Sequence, residues 1–304
     1  MSTLTCIVPP PVRPGDRIAV IAPATPFDPD IFAAGVRQLE ALGFPVDLHE
    51  DVYLATRYTS GSAAQRAAVI SRSIADPSVK ALVAARGGYG SVHLLPYLDV
   101  SALRDNPKRI VGCSDITTLL SFIGQRTGLV TYHGPMVAGE FGVGADDATV
   151  RDFLATMAGE VSPDKDIPLE VLAPGRAEGP LAGGCLALLC ASMGTPYEFH
   201  ADDAILFIED IREHPYRIDR MVTQLLFGGK LDRVRGIVFG TMTGCEAPRG
   251  ADYRLQDVLG DLLRPLGIPL YFGFPSGHAK PNLTLPIGAT VRMEGGRLRM
   301  VGRF

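Results

Sequence analysis

The stretch RIVGCSDITTLL, residues 109–120, joins two different patterns at a serine. Residues 109–113 form a short apolar run that is typical of a buried strand. The apolar residues that follow have the i, i+3, i+4, i+7 spacing of an amphipathic helix: Ile116, Leu119, Leu120 and Ile123. Ser114 therefore lies where a strand ends and a helix begins, and the amide groups at such a helix start have no partner within the helix.

The N-terminal half repeats this alternation of strand and helix. Buried-strand patterns occur in DRIAVIAPA (16–24) and VKALVAARGGYG (79–90), and helix patterns occupy residues 28–43 and 62–77. The first helix pattern has Asp28 as a candidate cap, and the second begins with the capping-box pair Ser62 and Gln65. The alternation predicts an α/β fold with a doubly wound, mainly parallel sheet, whose ligands bind beyond the carboxyl ends of the strands.

Length and composition indicate more than one compact unit. The chain has 304 residues, of which 46% are hydrophobic and 20% are charged, and a chain of this kind buries a large core. From about residue 141 the regular pattern loosens into segments rich in Gly, Pro and Asp. We therefore predict an N-terminal domain over residues 1–145, a linker region over 146–172 and a C-terminal domain over 173–304.

Charge and cysteine content narrow the environment and the partners. The net charge of -4 gives no general electrostatic reason to bind nucleic acid or an anionic membrane. The chain shows neither a secretion signal nor an apolar stretch long enough to cross a bilayer. Its five cysteines are an odd number without CxxC spacing, which favours a reduced, cytoplasmic protein. No HExxH motif is present, and we expect no metal and no cofactor.

Two interpretations of Ser114 follow from its position. A sharp turn would lift its hydroxyl off the sheet, where unpaired amides stabilise negative charge on a substrate oxygen, so Ser114 is a candidate nucleophile. Serine is also a favoured N-cap, and Ser114 then has only a structural role. The motif is not the GxSxG elbow of the α/β-hydrolases, because Asp115 and Ile116 follow the serine.

A serine nucleophile needs a base and an acid that orients the base. The strand pattern AILFIED ends in Glu209 and Asp210, and a carboxylate that leaves a buried strand needs a partner. Glu209 is the candidate acid, although a helix cap or an ion pair with a nearby arginine explains it equally well. Among the histidines, His278 lies in a loop past an apparent strand, where an imidazole can project into a cleft, and His133 is a candidate for binding or packing.

At these residues the chain resembles a known family, the LD-carboxypeptidases, which include murein tetrapeptide carboxypeptidases and microcin C immunity peptidases. The resemblance extends from GDRIAVIAPA to LPIGATVRM, almost the whole chain. It rests on seven segments in the same order: ARGGYGSVHLLPYLD, VGCSDITTLL, TYHGPM, GGCLALLCASMGTPY, ILFIEDIREHPYRIDRMVTQL, GIVFGTMTGCE and GFPSGHAKPNLTLPIGA.

The resemblance implies a serine peptidase with the triad Ser114, Glu209 and His278. It implies that Ser114 forms an acyl-enzyme and that backbone amides hold the oxyanion, for which we select those of Asp115 and Gly88. It also implies a smaller, barrel-like α/β C-terminal domain that carries Glu209 and His278, a site between the domains, and a homodimer.

The same resemblance implies the substrate. Family members of this kind hydrolyse the L,D-amide bond to the C-terminal D-alanine of murein tetrapeptides during cell-wall recycling. The absence of tryptophan favours this substrate over the peptidyl or aminoacyl sulfamoyl adenylates of the immunity peptidases, since an adenine needs an aromatic platform. A non-catalytic muropeptide-binding protein is a further alternative.

Three residues or motifs near Ser114 have alternative explanations. Cys113 stands where the family often has an aromatic residue, and because strand neighbours point to opposite faces we expect a buried structural thiol. Arg86 is a candidate to bind the substrate's terminal carboxylate or to pair with an acid. The glycines of GGYG also suit a phosphate site, but neither GxGxxG nor a P-loop lysine accompanies them.

Overall fold

The computed structural model describes residues 5–304 and contains two β-sheets with their helices. The strands are β1 (Arg17–Ile21), β2 (Val46–Leu48), β3 (Val79–Ala84), β4 (Arg109–Gly112), β5 (Thr131–His133), β6 (Glu170–Ala173), β7 (Ala177–Cys185), β8 (Ile205–Ile211), β9 (Gly236–Thr243), β10 (Leu270–Phe272), β11 (Leu285–Ile287), β12 (Thr290–Glu294) and β13 (Arg297–Met300). The α-helices are α1 (Pro29–Ala41), α2 (Ala63–Ala75), α3 (Thr117–Thr127), α4 (Asp147–Met157), α5 (Leu186–Ser192), α6 (Pro215–Phe227) and α7 (Leu255–Leu263). None of the helices in residues 5–304 has the length and apolar character that crossing a membrane requires.

The first sheet confirms the predicted α/β fold. Its strand order is β11-β5-β4-β3-β1-β2, and β1 to β5 are parallel. The predicted caps are present, because Asp28 accepts bonds from the first amides of α1, and Ser62 with Gln65 forms a capping box at α2. The alternation of the N-terminal half did not indicate β11, which comes from the C-terminal part of the chain and adds an antiparallel edge next to β5.

The second sheet has seven strands in the order β13-β12-β7-β8-β9-β10-β6. Its central strands β7 to β10 are parallel, and antiparallel strands flank them on both sides. The amide of Leu169, just before β6, donates to the carbonyl of Gly296 in the β12–β13 turn at 2.8 Å. Because β6 and β13 are the two edges of the sheet, this bond shows that the sheet curls toward closure, as the predicted barrel-like domain requires.

The predicted linker region contains regular structure that composition did not indicate. Helix α4 lies in it, and its Phe153 and Met157 are buried in the same apolar core as β1 to β5. Asp152 of α4 forms a buried ion pair with Lys165 and accepts a bond from the amide of Thr284, just before β11, at 2.6 Å. Part of residues 146–172 therefore packs on the first sheet, while the proposed domain boundaries stay a prediction.

Candidate active site

One cleft, of about 520 Å³, brings together the residues that the sequence placed far apart. Ser114 at the end of β4, Gly88 after β3 and His278 in the loop between β10 and β11 all line it, so we name it the Ser114 cleft. It lies beyond the carboxyl ends of β3 and β4, where parallel sheets of this kind bind their ligands. Both sheets contribute, because Ile211 at the end of β8 also lines it.

Ser114 has an unusual backbone conformation. Its φ is +62°, in the left-handed region that residues other than glycine rarely adopt. It begins a short 3₁₀ turn, Ser114–Ile116, that leads directly into α3, and its side chain caps neither the turn nor the helix. The N-cap interpretation is therefore wrong, and the partly exposed side chain faces the cleft instead.

Glu209 and His278 form a tight pair behind the cleft. Their Oε2 and Nδ1 atoms are 2.6 Å apart, Glu209 is fully buried, and the His278 side chain is 17% exposed. The helix-cap interpretation of Glu209 is wrong, because His214 is the N-cap of the next helix. The arginine interpretation is wrong too, because Arg217 pairs with Glu213 and Glu209 forms no ion pair with an arginine among residues 5–304. Burial by itself raises the pKa of Glu209, but the adjacent imidazoles of His133 and His278, the latter hydrogen-bonded to the carboxylate, lower the pKa below its usual value, so the carboxylate stays ionised.

The same pair controls the proton affinity of His278. Burial by itself lowers the pKa of His278, because it disfavours the imidazolium. The hydrogen bond to Glu209 and the negative charge of Glu209 outweigh burial and raise the pKa above 6.5. The free Nε2 of the ring is thus a stronger base than that of an isolated histidine.

His133 is a functional candidate whose role the sequence left open. It lies in β5, is fully buried, and its Nε2 is 3.5 Å from Glu209 Oε1. Its position next to Gly134-Pro135 was the one available signal. Only the docking of the two sheets shows that it approaches Glu209.

The selected oxyanion residues differ in their surroundings. Gly88 has φ +107°, and a Cβ there would lie 2.4 Å from Thr25 Oγ1, so only glycine fits. The Asp115 carboxylate is buried and accepts a bond from the amide of Ser91 at 2.8 Å, while the Ser91 hydroxyl donates to the Asp115 carbonyl at 2.6 Å. The Asp115 side chain therefore fixes the segment that follows GGYG.

Cys113 is buried, as expected, but it lies close to Glu209 and to the loop that carries His278. Its Sγ lies 3.9 Å from the carbonyl of Gly277, the residue before His278. Burial, with the nearby charge of Glu209, raises the pKa of the thiol well above its usual value, so it is not a reactive thiolate.

Donor atoms of Cys113, His133 and Glu209 lie within 4.8 Å of one another, but the neutral thiol and the use of Glu209 by His278 fit a metal poorly.

Three charged side chains also line the cleft. Arg86 forms no ion pair with an acid among residues 5–304 and donates instead to the carbonyl of Pro26 at 3.0 Å. Lys280 donates to the carbonyl of Gly144 at 2.6 Å. Glu140 accepts bonds from the side-chain amide of Asn282 and the backbone amide of Met136. Both cations are thus available to an anionic ligand.

Family models match both halves that build this cleft. Residues 18–134 match the LD-carboxypeptidase N-terminal domain, and residues 178–293 match the LD-carboxypeptidase C-terminal domain. The chain belongs to the LD-carboxypeptidase family. The family resemblance of the seven sequence segments is confirmed, and the family supports a peptidase.

Relatives in this family align with almost the whole chain. The "Probable murein peptide carboxypeptidase" of Bacillus subtilis is 39% identical over 92% of this chain and 89% of its own length. The "Murein tetrapeptide carboxypeptidase" of Pseudomonas aeruginosa is 35% identical over 93% of this chain and 94% of its own. The "Microcin C7 self-immunity protein" of Escherichia coli is 30% identical over 93% of this chain and 92% of its own length.

Solved structures of the family share the two-sheet fold. The microcin C7 self-immunity protein in complex with aspartyl sulfamoyl adenosine has a TM-score of 0.89 at 26% identity, and the match covers 97% of this chain and 98% of that one. The muramoyltetrapeptide carboxypeptidase of Oxalobacter formigenes has a TM-score of 0.80 at 29% identity, with coverage of 93% and 97%.

We predict that the loop carrying His278 tolerates no side chain at Gly277. A Cβ there would lie 2.7 Å from Glu209 Oε2 and 2.4 Å from Thr241 Oγ1, whereas at Gly273 in the same loop it would meet nothing within 4 Å. Both glycines have positive φ, +133° and +94°, so both alanine variants carry backbone strain. We expect Gly277→Ala to unfold in urea with about 1–3 kcal/mol less stability than Gly273→Ala. Equal losses would show that the approach to Glu209 is not tight.

We also predict the pH dependence of the Glu209–His278 pair. Because the folded pKa of His278 is raised, the pair stabilises the fold below the unfolded pKa of about 6.5, and this contribution is lost as pH rises through the folded pKa. Glu209→Gln removes the negative charge that raises the pKa of His278, so the opposing effect of burial dominates. The titration midpoint of His278, measured by ¹⁵N NMR, should therefore fall below that of the parent. An unchanged midpoint would contradict the pairing.

Proposed function

We propose that this chain is a serine-type LD-carboxypeptidase that hydrolyses the L,D-amide bond to the C-terminal D-alanine of murein tetrapeptides. One observation carries the proposal: the 2.6 Å Glu209–His278 pair faces the same cleft as Ser114. Ser114 and His278 thus line one cleft, and the buried Glu209 binds His278 from behind it, which suits the roles of nucleophile, base and orienting acid in a serine triad.

The proposed reaction proceeds through an acyl-enzyme. His278 Nε2 removes the proton of Ser114 Oγ, and this oxygen attacks the carbonyl carbon of the scissile amide. The imidazolium then protonates the leaving nitrogen, and the C–N bond breaks to release D-alanine. Water, deprotonated by the same imidazole, hydrolyses the ester. Glu209 holds the proton on Nδ1 throughout and stabilises the imidazolium.

Backbone amides are the proposed stabilisers of the oxyanion. The amide of Asp115 follows Ser114 at the start of the 3₁₀ turn, and Gly88 lines the opposite loop of the cleft. Removing a donor of this kind typically costs about 100-fold or more in rate. The contact between Asp115 and Ser91 supports this role, because it fixes the two amide-bearing segments to each other.

The murein substrate is supported by the names of the Bacillus, Pseudomonas and Oxalobacter relatives. An exopeptidase also has to bind a free carboxylate, and Arg86 and Lys280 supply two cations at the cleft. Arginine recognises a carboxylate through paired hydrogen bonds. We select Arg86 as the residue that binds the carboxylate of the D-alanine.

We further propose that the enzyme acts in the cytoplasm as a homodimer without a cofactor. All five cysteines are free, four of them buried, which supports a reducing compartment. The homodimer rests on the family resemblance alone.

A second candidate is hydrolysis of an aminoacyl sulfamoyl adenylate. The close structural match to a complex with aspartyl sulfamoyl adenosine supports it, and so does a second cavity of about 660 Å³ that shares Ala279 with the Ser114 cleft and contains Tyr253. Incubation with aspartyl sulfamoyl adenosine and with the murein tetrapeptide, at equal concentration, separates the two. We expect faster cleavage of the tetrapeptide, and the reverse order would favour the second candidate.

The central test compares two adjacent residues, Ser114 and Cys113. With L-Ala-D-Glu-meso-diaminopimelate-D-Ala as substrate and mass spectrometry as readout, the parent and Cys113→Ala should release D-alanine, while Ser114→Ala should lose at least about 10³-fold in kcat. Loss in Cys113→Ala with retention in Ser114→Ala would move the nucleophile to the thiol. Binding without cleavage by the parent would indicate a non-catalytic muropeptide-binding protein.

The carboxylate assignment has its own test. Arg86→Met should raise KM for the tetrapeptide about tenfold or more, because a charged hydrogen bond is lost, and should change kcat less. Arg104 is the matched control, since it too donates to a backbone carbonyl but lies outside the lining of the cleft. If Arg104→Met has the same effect, Arg86 does not bind the carboxylate.

A further inference from the structure

The Glu209 carboxylate has two oxygens, and the triad uses only one. Oε2 binds His278, while Oε1 has no hydrogen-bond partner among residues 5–304. Glu209 is fully buried, and a buried acceptor without a partner carries the whole cost of its desolvation. The structure around Oε1 should therefore contain a donor.

His133 is positioned to be that donor. Its Nε2 lies 3.5 Å from Glu209 Oε1, and this buried nitrogen also has no hydrogen-bond partner in residues 5–304. The two unpartnered atoms are thus adjacent. A closer approach of about 0.5 Å gives an ordinary hydrogen bond.

The other side of the His133 ring sets its tautomer. Nδ1 is 3.3 Å from the hydroxyl of Ser276, which is fully buried. The Ser276 carbonyl accepts the amide of Thr241 at 2.9 Å, so the serine is held in place. When the Ser276 hydroxyl donates to Nδ1, the ring proton lies on Nε2 and faces Glu209.

His133 is held rigidly and has no access to substrate. In the sheet it lies beside Gly112 of β4 and Leu285 of β11. The ring of Phe207 packs against its ring with 5.1 Å between centroids, and the His133 side chain is 1% exposed. Its effect on the reaction must therefore be transmitted through Glu209.

We propose that His133 is a positioning residue: its Nε2–H donates to Glu209 Oε1 and thereby keeps Oε2 directed at Nδ1 of His278. The inference rests on the proposed function, because it assigns His133 a part in the same serine-type reaction. One carboxylate is thus held between two imidazoles, of which only His278 reaches the substrate.

The position predicts a pH effect with a definite sign. Two states of the pair are compared: the Glu209 anion with neutral His278, which has a net charge of about -1, and the Glu209 anion with protonated His278, which has no net charge. Loss of the His133 donor destabilises the first state more than the second. The pair then takes up a proton at higher pH, and the active form with neutral His278 is lost earlier on acidification.

Other titratable groups surround the pair and enter the design of the test. The groups that act on Glu209, His278 or their neighbours are Cys113 after β4, Cys185 of β7, Asp210 of β8 and Glu140 after β5. Burial raises the pKa of both thiols well above the usual range, so they stay neutral. Burial also raises the pKa of Asp210 to about 6, so Asp210 titrates within the pH range of the experiment. Asp210→Asn is therefore included as a control.

The experiment compares His133→Phe with His133→Gln. Phenylalanine keeps the ring volume and removes the donor, whereas glutamine can place an amide donor where Nε2 stood. Two quantities are measured: the pH dependence of D-alanine release from the murein tetrapeptide, and the ¹⁵N NMR midpoint of His278. For His133→Phe we expect kcat to fall by roughly tenfold or more with little change in KM, and both the acid limb and the midpoint to rise by about one pH unit.

The matched variant decides between positioning and packing. His133→Gln should recover most of the rate and return both pH values toward those of the parent. Equal behaviour of the two variants in both readouts would reduce His133 to a packing residue. If His133→Phe does not fold, Ser276→Ala serves instead. It keeps the His133 ring but removes the hydroxyl that fixes its tautomer. We then expect a smaller shift of the acid limb and of the His278 midpoint, in the same direction.

Two further outcomes are separable. If the parent does not release D-alanine, the proposed function fails, but the His278 midpoints still decide whether His133 positions Glu209. If EDTA inactivates the parent and Zn²⁺ restores it, Cys113, His133 and Glu209 hold a metal instead, and the proposal is overturned.

Discussion

The structure depends on a buried negative charge, the carboxylate of Glu209. It lies on β8 of the second sheet and is fully shielded from water, so it is tolerable only with donors around it. His278 reaches it from the loop between β10 and β11, and His133 approaches it from β5 of the first sheet. The charge therefore has its partners only when the two sheets are docked, which links folding of the whole chain to assembly of the site.

The loop that carries His278 is fastened from the first half of the chain. Asn282 accepts a bond from the amide of Gly277 at 3.0 Å and donates to Glu140, and its own amide donates to Thr149 of α4. The bonds to Gly277 and Thr149 are buried, where a lost partner is costly. The imidazole is thus held on both sides, by Glu209 on the second sheet and by α4 and its neighbours on the first, and in the proposed mechanism this fixes His278 relative to Ser114.

The two sheets carry different residues of the site, and their secondary structure explains which residue each one carries. A parallel strand that ends at a helix start presents backbone amides and a hydroxyl at the edge of a sheet, and the first sheet places Ser114 there. A buried strand in the second sheet carries Glu209 without exposing it to water, and Glu209 keeps its charge beside His278. Family relatives with the same two-sheet fold include a complex with aspartyl sulfamoyl adenosine and a muramoyltetrapeptide carboxypeptidase.

The sequence by itself determined the local elements and the family. Caps at Asp28 and Ser62, the apolar periodicities and the alternation of strands with helices depend on neighbours within a few residues, and so they were predictable. What only the tertiary structure decided depends on residues far apart in sequence: the strand β11 that joins the first sheet, the packing of α4 on that sheet, the left-handed Ser114, and the approach of His133 to Glu209. Burial and pairing between groups far apart in sequence determine these features, so no local sequence pattern predicts them.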